Sequence, residues 1–328
     1  MQDDGKYASR FSAKPSGGLC AVLPISISSD TLRQGGAYMV SFSFGLFSKN
    51  VEFPIHIQYG FHNDDLYTHK HEDFTELVIV LDGSASHIVS GRSYPVSKGD
   101  VFVLGQDIGH GYENPNKLSI CNIMIRPEAF DRLFDLRQIV GFQALFVLEP
   151  RYSSDVRFPS AMKLSAEGFH EAENVINRMM FEYERKNAGW QAAVFSHFIQ
   201  ICLILSRRYK ADNSVRSEYI QLADAVAFME QHFTEEIAVS ELAELSGYSE
   251  RQFLRLFHAI FHSTPNNYLT NLRIRRAKLL LVQTSLSVTD IAAQCGYADR
   301  NYFARLFKKH TDMTPTEFRT IEKGKLEI

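Results

Sequence analysis

Ala238-Val239-Ser240-Glu241-Leu242-Ala243-Glu244-Leu245-Ser246-Gly247-Tyr248 and Ser287-Val288-Thr289-Asp290-Ile291-Ala292-Ala293-Gln294-Cys295-Gly296-Tyr297 are two copies of one pattern. Ser249-Glu250-Arg251-Gln252-Phe253-Leu254-Arg255-Leu256-Phe257 follows the first, and Ala298-Asp299-Arg300-Asn301-Tyr302-Phe303-Ala304-Arg305-Leu306-Phe307 the second. Both then reach Thr-Pro, at Thr264-Pro265 and Thr314-Pro315. The pattern predicts two helix-turn-helix units. In each, Ser240 or Thr289 caps a short helix and Gly247 or Gly296 ends it in a sharp turn. Ala243 and Ala292 are small where two helices must cross. In the longer second helices, Phe253, Leu256 and Phe257, or Phe303, Leu306 and Phe307, fall on one stripe. Burying that stripe turns Arg251 and Arg255, or Asn301 and Arg305, outward. Arg bidentate to guanine and Asn to adenine are the side chains that read base edges in the major groove, so double-stranded DNA is the expected partner. One such pattern is weak, because helical hairpins with Ala and Gly abound; two at near-fixed spacing are specific.

The charge distribution agrees locally and disagrees on average. A formal net charge of −3 argues against a nucleic-acid binder. Residues 218–250, however, hold eight acids and no Lys or Arg, whereas 251–310 hold ten Lys/Arg against only Asp290 and Asp299. Such clustering suits phosphate neutralisation; a merely solvated charged face is the bland alternative. The copies are joined by a helix predicted over Tyr268–Gln283, with Leu269, Leu272, Leu280 and Leu281 inward. Arg273, Arg275, Arg276 and Lys278 supply its charge; the first three are expected to contact DNA, Arg275 or Arg276 at phosphates.

Upstream the periodicity changes. Residues 38–126 alternate short apolar runs with turns: Tyr38–Phe44, Ile55–Tyr59, Glu76–Leu81, His87–Val89, Val101–Leu104 and Leu118–Ile125, separated by Asp82-Gly83, Gly91 and Gly99-Asp100. This predicts a small β-barrel or sandwich. Ser165 then caps a helix with Phe169, Ala172, Val175, Ile176, Met179, Met180 and Tyr183 on one side, ended by Asn187-Ala188-Gly189. A second helix follows with Trp190, Val194, Phe195, Phe198, Ile201, Cys202 and Leu205 on its apolar side. This antiparallel hairpin is expected to pack on the barrel, and its exposed part to serve a homodimer. The fold class is therefore α+β multidomain: a flexible arm over 1–35, a barrel over 36–160, the hairpin over 161–210, a linker over 211–217, and an all-α domain with two helix-turn-helix units over 218–322.

The compartment is read from what is missing. Cys20, Cys121, Cys202 and Cys295 are far apart and form no CxxC pair, so neither a disulfide framework nor a zinc knuckle is indicated. Leu19–Ile27 is broken by Pro24 and preceded by Asp3 and Asp4, a poor signal peptide. No run approaches a membrane span. A reducing, cytoplasmic location is expected.

With these residues in place, the C-terminal third resembles the AraC/XylS family of transcription regulators, whose DNA-binding domain joins two helix-turn-helix units by a helix. Ile291-Ala292-Ala293 through Gly296-Tyr297, Phe303, Phe307-Lys308 and Thr314-Pro315 are similar to the family signature, and the likeness covers about 218–320. By matching position it implies base readers at Arg251, Leu254 and Arg255 in the first unit, and at Arg300, Asn301, Tyr302 and Arg305 in the second. Lys308 is then also a DNA contact, and Leu254 is suited to a thymine methyl. RNA polymerase is implied as a further partner, and no enzymatic activity.

The barrel carries a second constellation: His69-Lys70-His71, Glu76 and Gly83, then Gly99-Asp100, Asp107, His110 and Asn114. Histidines two apart on a strand share a face. The arrangement resembles cupin metal motifs, in which the corresponding His, His, Glu and His bind a divalent ion. The stretch Asp73–Val80 through Tyr94, Gly99–Phe102, His110 and Asn122-Ile123 is similar to sensor domains of the rhamnose-operon activators, whose pocket receives a sugar. Three readings of His69, His71, Glu76 and His110 stay open: ordinary barrel polar groups, a sugar or polyol pocket, or an N3O site for a transition metal such as Zn, Ni, Mn or Fe. The sugar reading leads. A ligand-responsive activator is the leading function; a cupin-type metalloenzyme with a DNA-binding appendage and a ligand-independent DNA-binding regulator are the alternatives.

Overall fold

The computed structural model describes residues 39–50, 52–106, 108–152, 162–209 and 217–326. The arm over 1–35, Cys20, Asp107 and the linker over 211–216 lie outside them. Strands β1 (Val40–Phe42), β2 (Ile55–His62), β3 (Leu66–His71), β4 (Thr75–Val89), β5 (Arg92–Ser97), β6 (Asp100–Leu104), β7 (His110–Ile125) and β8 (Met162–Lys163) form one sheet. Two strands of unusual length organise it. The C-terminal half of β7 pairs with β2 and with the first half of β4, which also carries β6 and then β8. The N-terminal half of β7 pairs with β3 and with the second half of β4, which also carries β5. The two half-sheets thus share β4 and β7.

Where the halves meet, the β4–β7 register shifts between Val80 and Asp82, between Asp82 and Ser84, and between Ser84 and Ser86. The expected break at Asp82-Gly83 is therefore a bulge inside one strand. Gly83 takes φ +74°, and a Cβ there would lie 2.2 Å from the Lys117 carbonyl oxygen, so only glycine lets β7 come this close. Gly91 is a hairpin turn as expected, with Ser90 and Gly91 both at positive φ. Leu77–Val80 and Val101–Leu104 are fully buried on successive residues, so both faces of the sheet are covered there.

After β7 the structure departs from the sequence reading. Residues 127–152, expected as part of the barrel, are helical: α1 (Pro127–Asp131), a 3-10 turn (Leu136–Gln138), α2 (Val140–Phe142), a wider π-helical stretch (Gln143–Leu148) and α3 (Glu149–Tyr152). Phe142 and Ala144–Leu148 are all buried, so no polar face remains to give a helical period. The hairpin, by contrast, is as expected: α4 (Ala166–Arg185), with Ser165 accepting from the Gly168 N–H, and α5 (Trp190–Arg208). It is fixed to β2 by Tyr59 donating to Asn177 and by Tyr183 hydrogen-bonded to His56 at 2.7 Å, and to the residues just before β2 by Phe53 against Trp190. Ser217, expected in the linker, already begins the next helix.

The rest is α6 (Ser217–Gln231), α7 (Val239–Leu245), α8 (Glu250–Phe261), α9 (Pro265–Gln283), α10 (Val288–Gln294), α11 (Arg300–Thr311) and α12 (Pro315–Leu326). Helix α6 buries Leu222, Ala223, Ala225, Val226, Ala227 and Met229, a nearly all-round apolar surface that requires partners on more than one side. It meets the 136–148 segment on one hand and α7 on the other. Cys121, Cys202 and Cys295 are buried and free. Among the described residues no helix is long and apolar enough to cross a membrane.

The bulge yields a stability test. Gly91→Ala meets no atom within 4 Å and should cost about 1 kcal/mol, from the left-handed backbone alone. Gly83→Ala should cost several times more, measured by urea denaturation of the two variants side by side. Equal losses would show that β7 does not press on Gly83.

Candidate functional site

The two helix-turn-helix units are built alike, down to their turns. In the first, Gly247 takes φ +65° and the Tyr248 N–H returns to the Ala243 carbonyl at 3.0 Å. In the second, Gly296 takes φ +79° and the Tyr297 N–H returns to Ala292 at 2.9 Å. Both are the hydrogen-bonded helix stop that needs a left-handed residue just past the cap. Ala243 and Ala292 are buried at the crossings, as expected.

The helix starts differ from expectation. Helix α7 begins after Ala238, with no side-chain cap, and α10 begins after Ser287, in a capping box with Asp290. Ser240 and Thr289 lie two residues too far in; the hydroxyl that precedes the first helical residue caps best. Ser249 and Asp299 cap the second helices α8 and α11. The repeated Thr-Pro also has a physical cause: Thr264 and Thr314 accept from the N–H groups of Asn267 and Glu317, and proline opens each following helix.

In α8, Phe253 and Phe257 are fully buried, and in α11 Phe303 and Phe307; Leu256 and Leu306 are half-buried at the edge of each stripe. The opposite faces are open: Arg251, Leu254 and Arg255 on α8, and Arg300, Asn301, Tyr302, Arg305 and Lys308 on α11, are all exposed. The sequence reading missed His258. It is exposed one turn beyond Arg255 and stands to the first copy as Lys308 does to the second, fifty residues on, which is the signal that could have found it. Helix α9 starts three residues earlier than predicted, and its nineteen residues span about 28 Å, closer to the roughly 34 Å between successive major-groove segments.

The arginines of α9 do not face the same way. Arg273 donates to the carbonyls of Phe233 and Glu235 at 2.6 and 2.8 Å and lies over the Tyr297 ring. Arg275 pairs with Glu230 at 3.4 Å and with Asp131 at 3.6 Å, and Arg276 lies over Phe134. All three are half-buried and engaged within the protein, which corrects their expected role at DNA. Exposed basic residues stand instead on the two second helices, at Arg251, Arg255, Arg300, Arg305, Lys308 and Lys309.

Inside the barrel, β3 pairs with both β1 and β7, setting Val40 beside His69, Phe42 beside His71, and His69 beside His110. Glu76 enters from β4. The four side chains converge: the Nε2 atoms of His71 and His110 are 3.2 Å apart, and each lies 3.6 Å from Oε2 of Glu76. One ligand atom from each of His69, His71 and His110 falls within 4.8 Å of the others. A further histidine was not foreseen. His87 points inward with Ala85 and Val89 on alternate residues of β4, between the rings of Phe102 and Tyr112 and near His110. Gly99-Asp100 and Asn114 are not part of the cluster. Asp100 accepts from the Ser97 N–H and pairs with Lys163, and both Asp100 and Asn114 line a polar groove of about 650 Å³ with Ser84 and Ser86.

Burial dominates the electrostatics. Desolvation, helped by repulsion from His69, pushes His71 and His87 down to about 3 and His110 well below its ordinary value, so these rings are neutral. Desolvation raises the Glu76 carboxyl to about 8. Neutral imidazoles beside a carboxyl are a cation's ligand set, and the spacings among His71, His110 and Glu76 fit one, with His69 further off. Atoms bonded to one ion at about 2.0–2.2 Å lie roughly 3.0–3.6 Å apart at octahedral to tetrahedral angles. His69 Nδ1 is held by the Tyr67 carbonyl at 3.2 Å, the kind of outer contact that orients a ligating ring. The residues therefore fit a divalent transition metal.

Fold and site together define a two-part regulator, a sensory barrel followed by a domain with two helix-turn-helix units. Residues 55–194 match the AraC-like ligand binding domain and residues 242–321 a helix-turn-helix domain. The chain is 30% identical over 250 residues to the HTH-type transcriptional activator RhaS of Enterobacter sp. (strain 638), covering 76% of this chain and 86% of that one. It is 26% identical to the activator RhaR of Mannheimia succiniciproducens, covering 82% and 92%. A solved AraC-type DNA-binding regulator from Chromobacterium violaceum is 34% identical over 31% of this chain and 91% of its own, with a TM-score of 0.30. The chain belongs to the AraC-type family of DNA-binding transcription activators with a ligand-binding domain.

The reading faces can be tested one by one. Arg255→Ala and Arg305→Ala should each cost about 1–3 kcal/mol and relax preference at separate base pairs about one helical turn apart in a binding-site selection. His258→Ala and Lys308→Ala should weaken all sequences alike and flatten the salt dependence. Arg275→Met should leave the salt slope unchanged, because that guanidinium is occupied inside the protein. Parental motifs and affinity in both Arg255→Ala and Arg305→Ala would mean that other faces read the DNA.

Proposed function

We propose that this protein is a cytoplasmic transcription activator, not an enzyme, that reads two successive major-groove segments with α8 and α11. In this reading, a small sugar or polyol at the cluster of His69, His71, Glu76 and His110 sets its activity. The observation that carries the effector reading is the convergence of neutral, buried imidazoles with one carboxyl. Such groups offer both donors and acceptors, as a sugar's hydroxyls need. The resemblance to rhamnose-operon activators supports a sugar. We assign base contacts to Arg251, Leu254, Arg255, Arg300, Asn301, Tyr302 and Arg305, and backbone contacts to Lys308 and His258. RNA polymerase is the further partner of an activator, and the α4–α5 hairpin, where Phe181 is 48% exposed, is the surface for a homodimer.

A second reading is favoured by the 3.2 and 3.6 Å spacings: His69, His71, Glu76 and His110 hold a divalent transition metal. Such an ion would act as a Lewis acid for ligand hydroxyls and would keep Glu76 ionised.

A thermal-shift screen of monosaccharides against the full chain tests the effector, since a ligand at a hundredfold its Kd adds about 2.7 kcal/mol to stability. His71→Ala and Glu76→Gln should abolish the shift while leaving DNA affinity near that of the parent. Elemental analysis of protein purified without chelators separates the two versions: near-stoichiometric metal supports the ion, and a sugar shift in metal-free protein supports direct contact. With neither metal nor any sugar shift, the cluster is an ordinary part of the barrel interior.

A further inference from the structure

The apolar interior does not divide where the domains do. One continuous core runs from the barrel strands through Phe142–Leu148 and the α4–α5 hairpin into α6, and on to Leu242, Phe253, Phe257, Leu269 and Leu272. A second core begins two residues further along α9, with Ile274, Ala277, Leu280 and Leu281 against Ile291, Ala292, Phe303 and Phe307. The first helix-turn-helix unit thus shares its core with the sensor, and the second has its own.

At the changeover lies a buried polar cluster that spans the sensor side and the DNA-binding side. Arg137, from the segment after the barrel, donates Nε to Oε1 of Glu230 on α6 at 2.9 Å, with Nη2 ion-paired to the same oxygen at 2.8 Å and donating to the Tyr268 hydroxyl at 3.3 Å. The Tyr268 hydroxyl of α9 donates to the same oxygen at 2.9 Å, and Arg275 reaches it at 3.4 Å while also facing Asp131 of α1. Glu230 is fully buried, and its other oxygen has no hydrogen-bond partner among the described residues. Apolar side chains of similar volume would be as stable here or more so, whereas losing one partner would strand a buried charge. A cluster of this kind fixes one geometry between the parts it joins.

We propose that the sensor and the first helix-turn-helix unit form one cooperative body, clamped by Arg137, Glu230, Tyr268 and Arg275, and that the second unit is an independently folding DNA anchor carried on α9. The state of the sensor then reaches DNA through α8, while α11 supplies binding that does not depend on it. This holds whatever the effector is.

Hydrogen exchange followed by mass spectrometry on the full chain tests it, because amides that open only with a cooperative body report that body's stability. Ile79→Ala removes buried side-chain volume from β4, far along the sequence from either unit. It should speed exchange in the barrel strands and in α8 by one common factor, about thirty-fold or more, and leave α11 at its parental rate. Ile79→Val asks the same with a smaller factor if the alanine variant does not fold. In Arg137→Met, α8 should exchange faster than the barrel and no longer respond to the change at Ile79. Three results would overturn the proposal: α11 following the barrel, α8 ignoring the change at Ile79 in the parent background, or α8 still tracking the barrel in Arg137→Met.

Discussion

Burying two phenylalanines per repeat, Phe253 with Phe257 and Phe303 with Phe307, is the constraint on which the DNA-binding half depends. A helix has one rotation about its axis to choose, and these rings choose it. Once they are inside, the residues half a turn away meet water, and only there can an Arg or Asn reach a base edge. The left-handed glycine at each turn serves the same end. It stops α7 and α10 at the residue that lets the following helix lie across them. At Gly296 the Thr234 backbone leaves no room for a Cβ, a second reason for glycine at that turn.

The sensor half shows the same force acting on chemistry. What holds the rings of the histidine cluster neutral and its carboxyl protonated is removal from water. The shared strands β4 and β7 bring this about, because bending the sheet at Gly83 encloses one face between two half-sheets. A cation would reverse the preference of Glu76, so occupancy and the charge of the cluster are linked. The geometry of the ligands and the dryness of their surroundings have one origin.

Positive charge is divided between two tasks. Arginines on α8 and α11 stand in water, where long-range attraction to phosphate is effective. Those on α9 are folded inward onto backbone carbonyls, aromatic rings and Glu230, where they hold elements together. The excess of basic residues over 251–310 is therefore partly exposed on α8 and α11 and partly internal structure.

The repeat with its Phe stripe, the hairpin periodicity and the strand pattern were legible in the sequence because each is local: spacing decides which residues share a face. The four-residue cluster in the barrel was legible for a related reason, since His69 and His71 alternate on one strand and a family pattern supplied their partners. His87 was not, because an inward histidine looks like an outward one until the bulge sets the register. Phe142–Leu148 gave no helical signal because a helix buried on all sides has no polar face. The inward turn of Arg273, Arg275 and Arg276 was hidden for the converse reason. A charge becomes structural only when the chain returns an acid, a carbonyl or a ring to meet it, and Asp131, Glu230 and Phe134 come from distant segments. Local periodicity was written in the order of residues; which charges face DNA and which face the interior was decided only by tertiary packing.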